Sequence, residues 1–431
     1  MTMNLSLPPA AASSAADPVL RCVAVPLIER DIGSNLAALL ALWSDDRFFP
    51  VLDPRTPRPH LMVMANNATP ERLAEAEAIF RAHPRLGRCF SGFSAHSAGL
   101  SGDRDLYARG RAARKGAFGT RAGPNFLFHR TLEQAGRHGG FTLQVELDCL
   151  PVQAGWIEAA QEVIAGHASA WVIGSVYAGV GELDTWLQSH LNGNALYRTG
   201  DGAFQSFLSG VWMPRIQTHV QRRPDLAYDC WWALERSQAN ARAANESWFL
   251  FQTFDGFFHA DPFIVNLLVP PQGVQAYSRI FEKFARLGRT PVFFHGPAMK
   301  ALSARLLDHP KDSIFEAIDR MAPAQTPRAP VPPLRRAAPA AGPADPLPEG
   351  GDWLDRLAGR TRADAGANAR LLLRAVAARL QLDPGGVLPR LEAASVLHEA
   401  LEAARAELGD GHAVVAYFER ALNAARAQGA A

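Results

Sequence analysis

Two carboxylates set two residues apart, Glu146 and Asp148, close the apolar run Phe141-Thr-Leu-Gln-Val145. On an extended chain alternate side chains share a face, so this spacing aims both acids the same way. The run is a good strand former, and Pro151 is placed to open a helix through Trp156, Ile157 and Ala160. The acids then stand at the carboxyl end of a strand, where open α/β sheets bind their ligands. Neighbouring acids repel, and each drifts toward protonation unless a cation separates them. A hard divalent ion, Mn²⁺ or Mg²⁺, removes the conflict and keeps its remaining positions for water and phosphate oxygens, so a diphosphate is the matching ligand. Alone, the triplet favours a helix cap at Asp148 beside a solvated Glu146. The surrounding chain has to decide.

Other polar groups stand at comparable places. In His190-Leu-Asn-Gly-Asn-Ala-Leu-Tyr197 polar residues alternate with small or apolar ones, so His190, Asn192 and Asn194 share a face suited to a polyhydroxyl ligand. The same Asn-Gly-Asn also fits a turn. Pro291-Val-Phe-Phe-His295 reads as a late strand ending in a histidine. Ser91 to Arg121 is a long polar segment with Arg104, Arg109, Arg111, Arg114, Lys115 and Arg121, either a basic flap over an anionic donor or a solvated excursion. Gly123-Pro124-Asn125 opens a helix whose first N–H groups can hold phosphate. From Pro224 to Asn266, Trp and Phe interleave with Asp229, Glu235, Asp255 and Asp261; most of these rings read as core.

The elements that must position these groups read as α/β. Val19–Ile28 is a strand, followed by a helix from about Gly33 to Trp43 with Ser34 as its cap. His60–Ala65 is a second strand, running through Asn66-Asn67 into a helix opened by Thr69-Pro70. Strand, helix, strand, helix begins a parallel sheet with right-handed crossovers.

Length and composition set the frame: 431 residues at 48% hydrophobic suffice for two or three domains with buried cores. With 44 basic against 42 acidic residues, net +2, there is no global charge argument for nucleic acid or an anionic membrane. Cys22, Cys89, Cys149 and Cys230 form no CxxC pair, which argues against zinc and against a disulfide framework and fits a reducing cytoplasm. Residues 1–18 have no basic n-region and no long apolar core, and read as a disordered leader. No apolar run approaches the ~20 residues that a transmembrane helix needs, so a soluble protein is expected.

Taken together, the Asn-containing end of the second strand, the Gly-Pro-Asn helix, Glu146-x-Asp148, Trp171-Val-Ile-Gly-Ser, His-Leu-Asn-Gly-Asn and His295-Gly-Pro resemble GT-A type nucleotide-sugar-dependent glycosyltransferases of bacteria over residues 19–321. The resemblance implies a Rossmann-like, mixed, mostly parallel sheet flanked by helices. It implies a metal site of Asp148, Glu146 and His295 holding Mn²⁺ or Mg²⁺ on a donor diphosphate. Within that frame Pro26, Asn66, Arg121 and Asn125 are candidate donor contacts, His190, Asn192 and Asn194 are candidate acceptor contacts, and if the reaction inverts Asp229 or Asp255 is the candidate base that deprotonates an acceptor hydroxyl. A nucleotidyltransferase on a sugar phosphate uses a similar acid pair, but usually with a glycine-rich basic loop after the first strand, where this chain has Pro26-Leu-Ile-Glu-Arg-Asp-Ile-Gly33. A glycoside hydrolase needs acids on both sides of a sugar bond, which a same-face pair cannot supply. A non-catalytic sugar-binding or interaction protein is the remaining alternative.

Residues 322–351 are rich in Pro, Ala and Arg and read as a semi-rigid linker. Residues 352–431 have helical periodicity and form a small all-α domain. Its segment from Gly409 to Leu422 resembles half a tetratricopeptide unit, which suits a protein partner or self-association.

Overall fold

The computed structural model describes residues 18–107, 116–179, 183–184, 186–239 and 246–321, together with His398, Leu401, Glu402 and Arg405. The expected linker, the expected C-terminal helical domain apart from those four residues, the leader up to residue 17, and Arg109, Arg111, Arg114 and Lys115 lie outside the described residues. The chain divides into two units, residues 1–238 with 254–322, and 239–253 with 323–431. Everything below concerns the first.

Strands β1 (Leu20–Leu27), β2 (His60–Ala65), β3 (Gly92–Ser97) and β4 (Phe141–Gln144) run parallel. After β5 (Cys149–Pro151) come β6 (Val172–Val176), β7 (Leu191–Tyr197), β8 (Phe258–Ala260), β9 (Ile264–Asn266) and β10 (Phe293–His295). A seven-stranded sheet has the order β3-β2-β1-β4-β7-β6-β8, with β7 antiparallel to both of its neighbours, and a three-stranded sheet has the order β5-β10-β9. Helices α1 (Ala37–Trp43), α2 (Pro70–Arg81), α3 (Ala122–Ala135) and α4 (Trp156–Gly166) connect the first half. The second half adds α5 (Gly202–Phe207), α6 (Met213–His219), α7 (Trp231–Gln238), α8 (Glu246–Phe254, nearly all in the second unit), α9 (Gln275–Arg286), α10 (Met299–Asp308) and α11 (Ile314–Met321). The fold is α/β, a mixed, mostly parallel sheet flanked by helices.

Burial explains this arrangement. Val23, Ala24 and Val25 of β1 and Leu61, Met62 and Val63 of β2 are all fully buried, so both faces of the central strands are covered, as a parallel sheet requires. Trp156 at the start of α4 ties the core together. Its ring lies 4.9 Å from Trp43 and 5.6 Å from Phe293 of the small sheet, and its indole N–H donates to the Phe48 carbonyl at 3.0 Å. Thr69 caps α2 and Pro70 opens it, as the sequence suggests.

Several boundaries differ from expectation. The strand carrying the acids ends at Gln144, and Glu146 and Asp148 sit in the short turn before β5. Pro151 ends β5 and opens no helix; α4 starts later, with Gly155 in the left-handed region at φ 78° as its N-cap. The chain before α1 is a π-type turn, Ile32–Leu36, so Ser34 is not a cap. The polar segment after Ser91 contains β3, an edge strand whose side chains are only partly covered and whose sequence therefore lacks an apolar signature.

Candidate functional site

The turn after β4 brings Glu146 and Asp148 to the end of β10, where His295 pairs with Cys149 in antiparallel register. His295 Nε2 lies 3.5 Å from Asp148 Oδ1 and 3.6 Å from Glu146 Oε2. Its other nitrogen, Nδ1, stands 3.0 Å from the Asn266 side-chain oxygen at the end of β9. Only an N–H can face that acceptor, so Nδ1 carries a proton and Nε2 is the atom turned to the carboxylates. Gly296, at φ 141°, makes the next step possible: its N–H reaches the Asp148 carbonyl at 3.2 Å, and a Cβ there would overlap the Leu267 carbonyl oxygen.

The charges are tightly coupled. Burial alone would make the His295 imidazolium more acidic, but the facing Asp148 and Glu146 carboxylates outweigh it and raise its pKa to about 10. Asp148 is held below the usual carboxylate range: burial opposes this, and His295 and then Lys300 of α10 overcome it. A proton thus sits between two acids, at the place a divalent cation would take. Two hard oxygen donors and one imidazole, with a second-sphere amide fixing the tautomer, fit Mn²⁺ or Mg²⁺.

Asn194 and Asn192, expected to meet an acceptor, instead build this turn. Asn194 Oδ1 accepts the Glu146 backbone N–H at 2.6 Å, and its amide donates to Glu146 Oε2 at 3.2 Å and to Asn192 Oδ1 at 2.9 Å. From the other side Gln144 Nε2 donates to the Tyr228 hydroxyl at 3.1 Å, which donates to Glu146 Oε1 at 3.1 Å. Tyr228 comes this close because Gly193 has no side chain; a Cβ would overlap the phenol. Sequence reasoning missed Tyr228 and Asn266. Asn266 carried the one usable signal, a polar residue ending the apolar Phe263-Ile-Val run as His295 ends its own.

Other expected residues lie elsewhere. Asn66 is consumed by Glu29 N–H at 2.8 Å and by donating to both Asp105 oxygens at 2.8 and 3.0 Å. Asn125 is buried and donates to the Leu226 carbonyl at 3.0 Å, so it ties α3 to the chain before α7. Pro26 sits within β1 opposite Met64. Asp255 accepts from Trp232 Nε1 at 3.1 Å and pairs with Arg236 Nε at 3.0 Å. His190, Asp229 and Cys230 form a second cluster, in which burial and then the adjacent Asp229 carboxylate hold the Cys230 thiol well above its ordinary range, with Arg121 offsetting only part of the shift. Most of the aromatic region is core, Trp231 and Trp232 included. A cavity of about 530 Å³ opens at the opposite end of the small sheet, lined by Gln153, Trp156, His167, Asp261 and Arg289 among others, away from the acid turn.

No family model and no curated protein matches the chain. Among solved structures it is similar to mouse xyloside xylosyltransferase 1 in its apo form, with a TM-score of 0.38 and 11% identity, covering 64% of this chain and 97% of that one.

Proposed function

We propose that this protein is a metal-dependent glycosyltransferase that moves a sugar from a nucleotide-diphosphate donor to an acceptor hydroxyl. The observation that carries the reading is the convergence of Glu146, Asp148 and His295 Nε2, from two sheets, on one point at strand ends. Glu146, Asp148 and His295 would hold Mn²⁺ or Mg²⁺, which supplies charge compensation to a diphosphate as the anomeric carbon–oxygen bond breaks. The chain's own groups do the rest. Asn194, Asn192 and Tyr228 hold Glu146 in place, and Asn266 holds the His295 tautomer so that Nε2 faces the site. Lys300, whose charge is felt at Asp148, would add positive charge toward the leaving diphosphate.

The test is donor hydrolysis and transfer across a panel of nucleotide-sugars, with Mn²⁺ and with chelator. The reading expects turnover only with the ion, and an Asp148→Ala protein that melts cooperatively but turns over at least about 10²-fold more slowly. Undiminished transfer by Asp148→Ala overturns it.

A further inference from the structure

We propose that His190, Asp229 and Cys230 form a second metal site, distinct in chemistry from the acid turn and selective for a thiophilic divalent ion such as Zn²⁺. One ligand atom of each lies within 4.8 Å of the other two. His190 precedes β7, while Asp229 and Cys230 occupy the turn that leads into α7, so the site joins two elements far apart in sequence.

The orientation of the histidine is independent of the cluster and points to a ligand. His190 Nδ1 is hydrogen-bonded to the Leu187 carbonyl, a partner that can only accept, so Nδ1 carries a proton and Nε2 is the nitrogen turned toward Asp229, 4.0 Å from its Oδ2. Donation of the second ring N–H to a backbone carbonyl is the usual support of a metal-bound imidazole. The sulfur is placed to match: Cys230 Sγ lies 3.4 Å from Asp229 Oδ1, to which its S–H donates. Cys22, Cys89 and Cys149 are buried, whereas Cys230 is partly open. Nitrogen, oxygen and sulfur together select Zn²⁺ over the hard ions that suit two carboxylates and an imidazole, and three protein ligands leave a fourth position for water. Ion capture balances simply: the Cys230 S–H loses its proton to solvent, sulfur binds as thiolate, and His190 and Asp229 bind as they stand. The absence of any CxxC pair, which argues against zinc in the sequence, does not bear on a mixed Cys, His and Asp site, which needs only one sulfur.

The experiment uses the full chain, stripped of metal with chelator, and Co²⁺ as the probe. We expect a thiolate-to-cobalt charge-transfer band at one equivalent, displaced stoichiometrically by Zn²⁺, with about one proton released per ion near neutral pH. Cys230→Ser should lose the band, and in competition with a chromophoric chelator both Cys230→Ser and His190→Gln should bind Zn²⁺ at this site more weakly by more than about 100-fold. Thermal melts of each variant check that it is folded. The inference does not depend on sugar transfer, and Asp148→Ala separates the two: it should keep the cobalt band even though the acid turn is broken. No band in the native chain, or a band that survives Cys230→Ser, overturns the site, whatever the transferase assays give.

Discussion

His295 is where the physics of the acid turn is most exposed to experiment. In the metal-free protein its pKa lies at about 10, above the ordinary 6.5, because two carboxylates face it. A raised folded-state pKa stabilises the fold fully below 6.5 and loses that contribution as pH climbs toward 10. Chelated wild-type protein should therefore lose a few kcal/mol of stability across this window relative to His295→Gln, measured by urea unfolding at several pH values. A difference between the two that stays flat with pH removes the coupling. The same proton opposes the ion: Mn²⁺ must displace it, so affinity should rise by about tenfold per pH unit up to the same limit. Asn194 gives the complementary case. Its side chain serves both the backbone and a carboxylate oxygen of Glu146, so Asn194→Ala should cost about 1–2 kcal/mol of stability but weaken Mn²⁺ binding by about 10–100-fold. Calorimetric titration reads the second number. Equal binding by the variant would show that Glu146 needs no support.

At the scale of elements, α6 and α7 are clamped by a buried carboxylate. Glu235 is fully buried and accepts from Arg215 Nε at 2.8 Å, Arg215 Nη2 at 3.0 Å, His219 Nε2 at 2.8 Å and Trp231 Nε1 at 2.9 Å. Removing it strands the Arg215 charge in the interior, so Glu235→Ala should cost about 3–5 kcal/mol, read as a shift in denaturant midpoint. A loss under about 1 kcal/mol would mean that water reaches the pair. How much of such architecture the sequence reveals depends on periodicity and burial. β1, β2 and the capped α2 are legible because their burial follows their pattern. β3 is not, because an edge strand with half-covered side chains has no apolar rhythm, and β5 is only three residues long. The acid pair was found by type and spacing, yet the strand geometry first used to align it is absent; a turn does the work. Asn192 and Asn194 do bond to each other, but His190, read on the same face, stands with Asp229 and Cys230, and which partner the asparagines meet depends on the register of β7 beside β4, a nonlocal fact.

Across the whole molecule, the acid turn is the place where the two sheets are joined by charge. Glu146 follows β4 of the large sheet, and His295 and the Asn266 behind it end β10 and β9 of the small one. With no net charge to speak of, +2 over 431 residues, long-range attraction contributes little, and this local cluster adds charge to a junction that one shared apolar core already packs. An ion bound there would hold both sheets and would have no such partner set in the unfolded chain, so its binding would appear as stability. At about 100 times the dissociation constant, Mn²⁺ should add about 2.7 kcal/mol, a rise of roughly 5 °C in melting temperature for a unit of this size. That rise should vanish in Asp148→Ala and persist in Cys230→Ser, which changes the other cluster. The cobalt probe reverses the pattern, since its thiolate band depends on Cys230 and not on Asp148. A molecule with one promiscuous site would lose both signals together in a single variant, so the crossed pair of melts and spectra tells a two-site protein from a one-site protein without any substrate in hand.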